Sequence, residues 1–312
     1  MIIKLLIRGF LKKHLSFLYN VLKKKGTGGT DLALYCYSVW LRHLILLDRN
    51  GMKEIPKRII EIGPGDSLGI GLNAILTGSK EYFAFDIIEH TNVDKNLQIL
   101  EELIDLYKRR LNIPNTSISK NTKPKLENYD FPKHILSDSY LDQMLEPSRL
   151  NLIRDAVKGS DSKDFTVKYI LLDDNVSIQK SSVDLIFSQA VMEHVEDVES
   201  TYRKGFGYLK EGGFMSHQID YSSHETHSLW FGHWAYSKNI WKIINYGRLY
   251  SINRFPNSYH LRKLKDIGFK IIFQLPYLND RASGIDKDLY LKNNFEDEDL
   301  QISSCFIISK KK

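Results

Sequence analysis

Two glycines and two acids in the first third of the chain have the types and spacing of a ligand site. Gly63 and Gly65 follow an apolar run that breaks abruptly and then resumes with helical spacing. Glycines at such a break allow backbone angles closed to other residues and let a ligand approach the main chain. Glu61 precedes the first glycine by two residues, and Asp86 lies 21 residues beyond Gly65.

The position of each acid indicates which ligand would bind. Asp86 ends the apolar run 82–85, and a carboxylate at the end of a second parallel strand is typical of a ribose contact. A dinucleotide enzyme would have a third glycine near position 68, where this chain has Leu68. Glu61 suits a cationic ligand better than a phosphate. The pattern therefore favours a nucleoside that carries positive charge.

These residues need a strand, a turn and a helix to position them. The pattern predicts a strand at 58–62, a helix at about 67–76 and a strand at 81–86, which form a βαβ unit. Further strands are predicted at 168–172, 183–188, 214–219, 270–275 and 303–309. One helix is predicted at about 198–209, and another ends at residue 267. Such alternation predicts an α/β, doubly wound, mostly parallel sheet with ligands at the carboxyl ends of its strands.

Three motifs in order resemble a known family. The segment 61–65, Glu-Ile-Gly-Pro-Gly, resembles the first motif of class I S-adenosylmethionine-dependent methyltransferases, and Asp86 matches the ribose-binding acid of that family. The segment 182–195 is similar to the family's fourth strand and the loop after it, and Asp174 falls where the acceptor of the adenine amino group stands. The resemblance implies a seven-stranded Rossmann-like methyltransferase fold whose last strand is antiparallel.

The resemblance also implies S-adenosylmethionine as the cofactor. In the family, Glu61 would order the methionine ammonium together with the backbone of the two glycines, while Asp174 would accept the adenine amino group. Either residue at the end of the fourth strand would support the methionine end. The implied cofactor residues are Glu61, Gly63, Gly65, Asp86, Asp174, Ser188 and Gln189.

Histidines are the candidate catalytic residues, because a hydroxyl acceptor must lose a proton and imidazole titrates near neutral pH. His194 is the first candidate, since it lies in the loop after the fourth strand; a role in ordering that loop is the alternative. His224 and His227 are the second choice, with Asp220 as a partner that would fix a tautomer. The spacing of these histidines matches no familiar metal site, so no metal is predicted.

Composition limits the other functions. The 312 residues are 42% hydrophobic, and the surplus of 44 Lys and Arg over 38 Asp and Glu lies largely at the two ends. No stripe of cations and aromatics runs through the middle, so nucleic acid is not an expected partner. The two cysteines, Cys36 and Cys305, are interpreted as buried thiols of a reducing compartment, which indicates a cytoplasmic protein.

The predicted organisation is an N-terminal helical segment at 1–50 and a methyltransferase domain at 51–312. About eighty residues separate Asp86 from the next strand, so a helical cap inserted at about 92–165 is predicted over the reactive end of the cofactor. Residues 1–25 form a basic amphipathic pattern, interrupted by too many cations for a membrane span or a signal peptide. A peripheral contact with the inner face of a membrane and a helix packed on the domain both remain open. The oligomeric state is left open.

The predicted function is O-methylation of a sugar or another small polar acceptor, which could be a glycan. Short motifs are loosely similar to methyltransferases of bacterial surface-polysaccharide gene sets, which suggests polysaccharide biosynthesis. One alternative is a catalytically degenerate subunit of the same fold attached to a membrane or an assembly. A nicotinamide-dependent oxidoreductase is the other alternative, which Leu68 and Glu61 disfavour.

Overall fold

A seven-stranded sheet forms the centre of the computed structural model, which describes residues 29–115, 121–160, 164–171, 178–246, 248 and 250–312. The strands are β1 (Arg58–Ile62), β2 (Glu81–Asp86), β3 (Thr166–Leu171), β4 (Val183–Gln189), β5 (Leu209–Asp220), β6 (Phe269–Leu278) and β7 (Ile302–Lys311). Their order is β3-β2-β1-β4-β5-β7-β6, and only β7 runs antiparallel to its neighbours. The predicted sheet and its reversed last strand are confirmed.

Helices cover both faces of the sheet. The described helices are α1 (Ala33–Arg49), α2 (Gly69–Leu76), α3 (Val93–Lys108), α4 (Asp138–Met144), α5 (Pro147–Val157), α6 (Val198–Tyr208), α7 (Lys238–Asn245), α8 (Asn257–Ile267) and α9 (Lys287–Asn293). Apolar residues of α1 to α5 form one core with one face of the sheet, and those of α6 and α8 form a second core with the other face. The sequence reading had missed α7 and α9.

The strand order reverses next to β1, which determines where a ligand can bind. The chain passes from β1 to β2 on one side and later returns to β4 on the other side. In open α/β sheets the crevice outside the carboxyl ends of the strands at such a point receives the ligand. Residues 63–65 leave β1 at this edge, so the glycine turn lies where the topology predicts a site.

Helix α1 belongs to the same core as the sheet. Trp40 and Leu44 are fully or almost fully buried, and the Trp40 indole donates a hydrogen bond to Thr77 at the end of α2 over 3.0 Å. The predicted boundary near residue 50 therefore does not separate two packing units. Residues 1–28, including the basic segment 1–25, lie outside the described residues.

The insert between β2 and β3 is helical as predicted, but its helices lie on the sheet face. Buried residues of α3, α4 and α5 share a core with α1 and α2. The loop near Lys123 reaches the carboxyl edge, where its carbonyl accepts a hydrogen bond from Gln189 over 3.0 Å and its ammonium contacts Ser304. The helices of the insert thus form the wall of the domain, whereas a loop approaches the crevice. Among the described helices, none combines the length and the apolar character that crossing a bilayer requires.

Candidate active site

The glycine turn is built tightly against the loop that follows β4. Gly63 and Gly65 have φ angles of +69° and +74°, in the left-handed region that favours glycine. A Cβ on Gly63 would lie 2.6 Å from the side chain of Val191, so the turn has no room for a larger residue. The amide of Gly63 donates to Phe85 over 2.8 Å and is therefore used within the sheet.

A segment before α1 fastens the other side of this turn. The hydroxyl of Thr30 accepts a hydrogen bond from the amide of Asp66 over 2.8 Å, and its carbonyl accepts one from Ser67. Gly69 in turn donates to the Ser67 hydroxyl over 3.0 Å, which satisfies an amide at the start of α2. The turn is thus fixed before any ligand binds.

Glu61 is a buried acid on the side of the sheet that faces α1 and α2. Its side chain accepts a hydrogen bond from the hydroxyl of Tyr82, and only 1% of the residue is exposed. The pKa of Glu61 is raised to about 8, chiefly because burial removes hydration from the charged form. Hydrogen bonds from Tyr82 and the Gly71 backbone oppose the rise, and the charge of Asp86 contributes a smaller part of it. Without a cation nearby, this carboxyl is therefore mostly protonated at neutral pH.

Asp86 ends β2 at the same edge of the sheet. One of its oxygens accepts a hydrogen bond from the amide of Ile87 over 2.7 Å. Tyr250 lies close by: burial and then the charge of Asp86 raise the pKa of its phenol to about 12, and its hydroxyl contacts the imidazole of His90. Asp86, Tyr250 and His90 therefore surround the place expected for a ribose. Asp174 lies outside the described residues.

The two polar residues at the end of β4 face opposite sides of the sheet. The Ser188 hydroxyl is buried and pairs with Nδ1 of His217 at 2.8 Å. The Gln189 side chain lies on the Glu61 side, where its Oε1 is 3.1 Å from Nε2 of His43. A hydrogen bond from Gln189 also affects Tyr35 of α1. The structure therefore brings Gln189 to the Glu61 side and leaves Ser188 in the opposite core.

His194 and His224 meet at the mouth of the crevice. Their rings pack edge to face with centroids 5.1 Å apart, and the ring of His194 lies 6.3 Å from that of Tyr250. Burial, and to a smaller extent the neighbouring His224, lower the pKa of His194 to about 4. The structure thus brings together two of the three candidate histidines.

His227 makes different contacts. Its Nδ1 accepts a hydrogen bond from the amide of Leu229 over 3.0 Å, and its ring packs against Tyr236 with centroids 5.8 Å apart. A Cβ on Gly232 would lie 1.9 Å from the same nitrogen. His227 therefore helps to order the loop after β5, and a catalytic role for it stays a prediction.

Sequence comparison finds one family model that matches part of the chain. A model of the methyltransferase domain family matches residues 142–216, which run from α4 into β5 and include the predicted strand-and-loop motif. The strand order and the reversed β7 are those that the family resemblance had implied. Residues 142–216 therefore match a methyltransferase domain, in agreement with the motifs found in the sequence.

Several solved structures are similar to this chain at low identity. An S-adenosylmethionine-dependent methyltransferase from Mesorhizobium loti is 13% identical, with 86% of this chain and 98% of that chain covered and a TM-score of 0.43. One from Methanosarcina mazei is 13% identical, with 85% and 96% covered and a TM-score of 0.43. Phosphoethanolamine N-methyltransferase 2 of Haemonchus contortus is 14% identical, with 97% and 59% covered and a TM-score of 0.43. No curated protein sequence matches this chain.

S-adenosylmethionine is the cofactor of this class, and the residues of the crevice fit it. The cofactor carries an ammonium group, and Glu61 is a buried carboxyl that a cation would allow to ionise. The turn at Gly63 brings the backbone close without a side chain in the way. Both features match a positively charged nucleoside.

The sequence had given no sign of several residues that the structure places at this site. Tyr35 comes from α1 and Tyr250 from a loop after α7, and neither stands in a motif. Glu193 lies in the segment 182–195 that resembles the family motif, but its position in the sequence does not indicate that the residue is 3% exposed and lies beside His224. These residues meet only because distant loops converge at one edge of the sheet.

Proposed function

We propose that the methyltransferase methylates an oxygen atom of a sugar or another small polar acceptor. The observation that carries this proposal is the pair formed by His194 and His224, whose rings lie 5.1 Å apart beside Tyr250 at the carboxyl edge of the sheet. A hydroxyl acceptor must lose its proton as the new bond forms, and histidine is the residue most often used near such a step.

The polarity of the surrounding loops supports this acceptor class. A small cavity beside the histidines is lined by polar and charged residues, including Glu193, Asp220, Asn253 and Arg254. The Glu193 oxygens in this lining have no hydrogen-bond partner among the described residues, so a polar acceptor suits them better than an apolar one. The proposal that the acceptor belongs to a bacterial surface polysaccharide rests only on short sequence motifs.

The proposed cofactor contacts follow the positions of the residues. Glu61 holds the methionine ammonium, and the backbone at Gly63 and Gly65 lies against the same end. Gln189 supports that end from β4, since it faces the side of Glu61, whereas Ser188 does not. Asp86 accepts the ribose hydroxyls, and Asp174 is retained as the acceptor of the adenine amino group.

The mechanism depends mainly on positioning. When bound, the cofactor supplies a methyl group on a sulfonium, and the acceptor oxygen displaces the sulfur from this methyl carbon in line. The chain must hold the reacting atoms about 3–3.5 Å apart and exclude water, and such positioning supplies much of the rate. His194 and His224 lie where they can bring about loss of the hydroxyl proton.

Product detection with a panel of acceptors tests this function. The purified protein is incubated with S-adenosylmethionine and with sugars, nucleotide sugars and oligosaccharides, and release of S-adenosylhomocysteine is followed. We expect an oxygen-methylated product, and a loss of at least 100-fold in rate for His194→Ala, since positioned proton transfer contributes about 10²–10⁴-fold. His134→Ala is the control, because His134 is an exposed histidine on the far side of α1 near Asp48. Turnover only on nitrogen or carbon acceptors would refute the proposal.

A contact of residues 1–25 with the inner face of a membrane remains a separate proposal. Its support is the alternation of apolar residues with Lys and Arg, which suits an anionic surface. Flotation with vesicles that contain anionic lipid should carry the full chain but not a chain without residues 1–25. Equal flotation of both chains, or of neither, would contradict a membrane role for this segment.

A further inference from the structure

Glu193 is a buried carboxyl group without the partner that such a group normally has. The residue is 3% exposed, and neither carboxylate oxygen makes a regular hydrogen bond with any described residue, although the backbone amides of Glu193 and Asp220 lie near. No described Lys or Arg forms an ion pair with it; Arg254, which lines the same cavity, donates instead to the carbonyl of Tyr236 over 2.7 Å. A buried polar group in this condition requires an explanation.

Two imidazoles face this carboxylate. Nε2 of His224 lies 3.9 Å from a Glu193 oxygen, and the nearest ligand atoms of Glu193, His194 and His224 all lie within 4.8 Å of one another. Asp220 adds a second carboxylate, 3.7 Å from the same His224 nitrogen. The Nε2 atom of His224 also lacks a hydrogen-bond partner among the described residues. The loops after β4 and β5 thus bring these ligand atoms together, and the Glu193 oxygens and Nε2 of His224 have no hydrogen-bond partner among the described residues.

The geometry around the histidines resembles the support that metal ligands usually have. Nδ1 of His194 lies 3.3 Å from the carbonyl of Ser251, a bond that places the proton on Nδ1 and leaves the lone pair of Nε2 available. His224 and Glu225 both have left-handed backbone angles, with φ of 43° and 62°. Such strained residues persist only where the surroundings hold them in place.

We propose that Glu193, His194 and His224 bind a divalent transition-metal ion, with Asp220 as a fourth ligand. Two imidazole nitrogens and carboxylate oxygens are donors that suit Zn²⁺, Mn²⁺ or Fe²⁺. A tetrahedral ion with bonds of about 2.0–2.1 Å separates its ligand atoms by roughly 3.3 Å, so ligand atoms that now lie up to 4.8 Å apart must approach by up to about 1.5 Å on binding. His224 and Asp220 are 28% and 37% exposed at their side chains, which leaves the ion a way in.

This proposal rests on the proposed function and specifies how the two histidines act. A divalent ion at this point can bind the acceptor oxygen and lower the pKa of its hydroxyl, so that the proton passes to water. The new bond then forms between this oxygen and the methyl carbon, the bond from sulfur to that carbon breaks, and the sulfonium becomes a thioether. This proposal differs from the sequence analysis, which predicted no metal. His194 and His224 are 30 residues apart, and this spacing matches no familiar metal-binding motif.

Metal binding is tested directly on the purified full chain after treatment with a chelator. Titration with Zn²⁺ and elemental analysis should give one ion per chain, and Co²⁺ should give visible absorption bands of a nitrogen and oxygen site. Glu193→Gln and His224→Asn should each weaken Zn²⁺ binding at least tenfold, since even residues that only orient metal ligands contribute 10–100-fold. His134→Asn is the matched control and should bind as the parent does, because His134 is a histidine with a 62% exposed side chain.

Folding of the variants is controlled by thermal unfolding without metal. Glu193→Gln should unfold no earlier than the parent, since it removes an unpaired buried carboxyl, while the rise of Tm with added Zn²⁺ should disappear. No stoichiometric binding, or binding equal in the parent and both cluster variants, would overturn the proposal.

Two further readouts separate this proposal from the proposed function. S-adenosylhomocysteine binding is measured without metal and tests the cofactor site independently. Metal binding without any oxygen methylation would refute the proposed function and leave the metal site in place. Oxygen methylation that is unchanged by chelation would leave the proposed function in place and overturn the role of the ion.

Discussion

Binding of S-adenosylhomocysteine should release a proton from Glu61 at neutral pH, and this release should diminish as the pH rises through 8. The pKa of Glu61 is about 8 because burial removes hydration from the charged form. At pH 7 only about one tenth of the free protein then carries the ionised carboxylate that an ammonium group requires. The observed affinity at pH 7 is therefore about tenfold below the intrinsic affinity, a cost of about 1.4 kcal/mol.

The proton count follows from the same values. The ligand amino group is charged at pH 7, so binding there should release about 0.9 proton from Glu61, because a carboxyl with a pKa of about 8 is mostly protonated at this pH. The release should fall to about 0.5 at pH 8, where half of the Glu61 carboxyl is already ionised before binding. Isothermal titration in buffers of different ionisation enthalpy measures this number directly.

Glu61→Gln is the variant that isolates the effect. It cannot titrate, so the release at pH 7 should vanish. A charge-assisted hydrogen bond contributes about 1.5–3 kcal/mol, from which the deprotonation cost must be subtracted, so affinity should fall by up to roughly tenfold at pH 7 and more at pH 8. A parent protein that releases no proton at pH 7, or a variant that releases as much, would refute the assignment of Glu61 to the ammonium.

Glu61 should lower the stability of the free protein at neutral pH, although it strengthens ligand binding. The pKa of Glu61 is raised on folding, so its contribution to stability is present below pH 4.5 and is lost as pH rises toward 8. At pH 7 the carboxyl therefore costs on the order of 3 kcal/mol. Without ligand, Glu61→Gln should raise Tm by several degrees at pH 7 and by much less at pH 4.

A second substitution reaches Glu61 through its hydrogen-bond partner. A Cβ on Gly71 would lie 2.0 Å from the ring of Tyr82, so Gly71→Ala must displace that ring and weaken its bond to the Glu61 carboxyl. We expect a lower Tm and weaker S-adenosylhomocysteine binding. Gly207→Ala is the matched control: it adds a methyl group to α6 with nothing within 4 Å, and should stabilise the helix by up to about 1 kcal/mol. Equal effects of the two variants would show that space at Gly71 is not the reason.

Two further substitutions test the walls of the crevice. Gly63→Ala should weaken S-adenosylhomocysteine binding at least tenfold, because its Cβ would lie 2.6 Å from Val191 at a φ of +69°. Gly284→Ala is the control: it has a similar φ of +65° but open space, and it should leave binding unchanged. Similar binding losses in both variants would mean that backbone strain alone explains them. Gln189→Leu should weaken binding roughly tenfold, since one charge-neutral hydrogen bond contributes about 1 kcal/mol and the amide also positions its neighbours. Ser188→Ala should lower Tm but leave binding unchanged, because Ser188 pairs with a buried histidine on the other face of the sheet, and a reversed pattern would contradict the face assignment.

The parts of the fold that could be predicted were those with a local cause. Strands β1 and β2 were predicted to the residue, because an apolar run that ends in glycine or aspartate marks its own limits. Helix α7 was missed because it has only eight residues, and its amphipathic pattern is hidden in a stretch rich in aromatics. The helices of the insert were recognised, but their place on the sheet face depends on contacts with α1 that no local pattern shows.

The candidate site divides in the same way. Gly63, Gly65 and Asp86 could be found because their spacing follows from the geometry of one βαβ unit. Glu193 and His224 could not be recognised as neighbours, since 31 residues separate them and only the turn after β5 brings them together. The choice between Ser188 and Gln189 needed the register of β4, which decides the face on which each side chain lies.

The central claim is that the crevice at the carboxyl ends of β1, β2 and β4 binds the adenosyl cofactor through Glu61 and Asp86. A crystal structure of the protein with S-adenosylhomocysteine tests it most directly. The account predicts the ligand's ammonium within hydrogen-bonding distance of the Glu61 carboxylate and its ribose hydroxyls on Asp86. A ligand bound elsewhere, or crystals without ligand at saturating concentration, would contradict it.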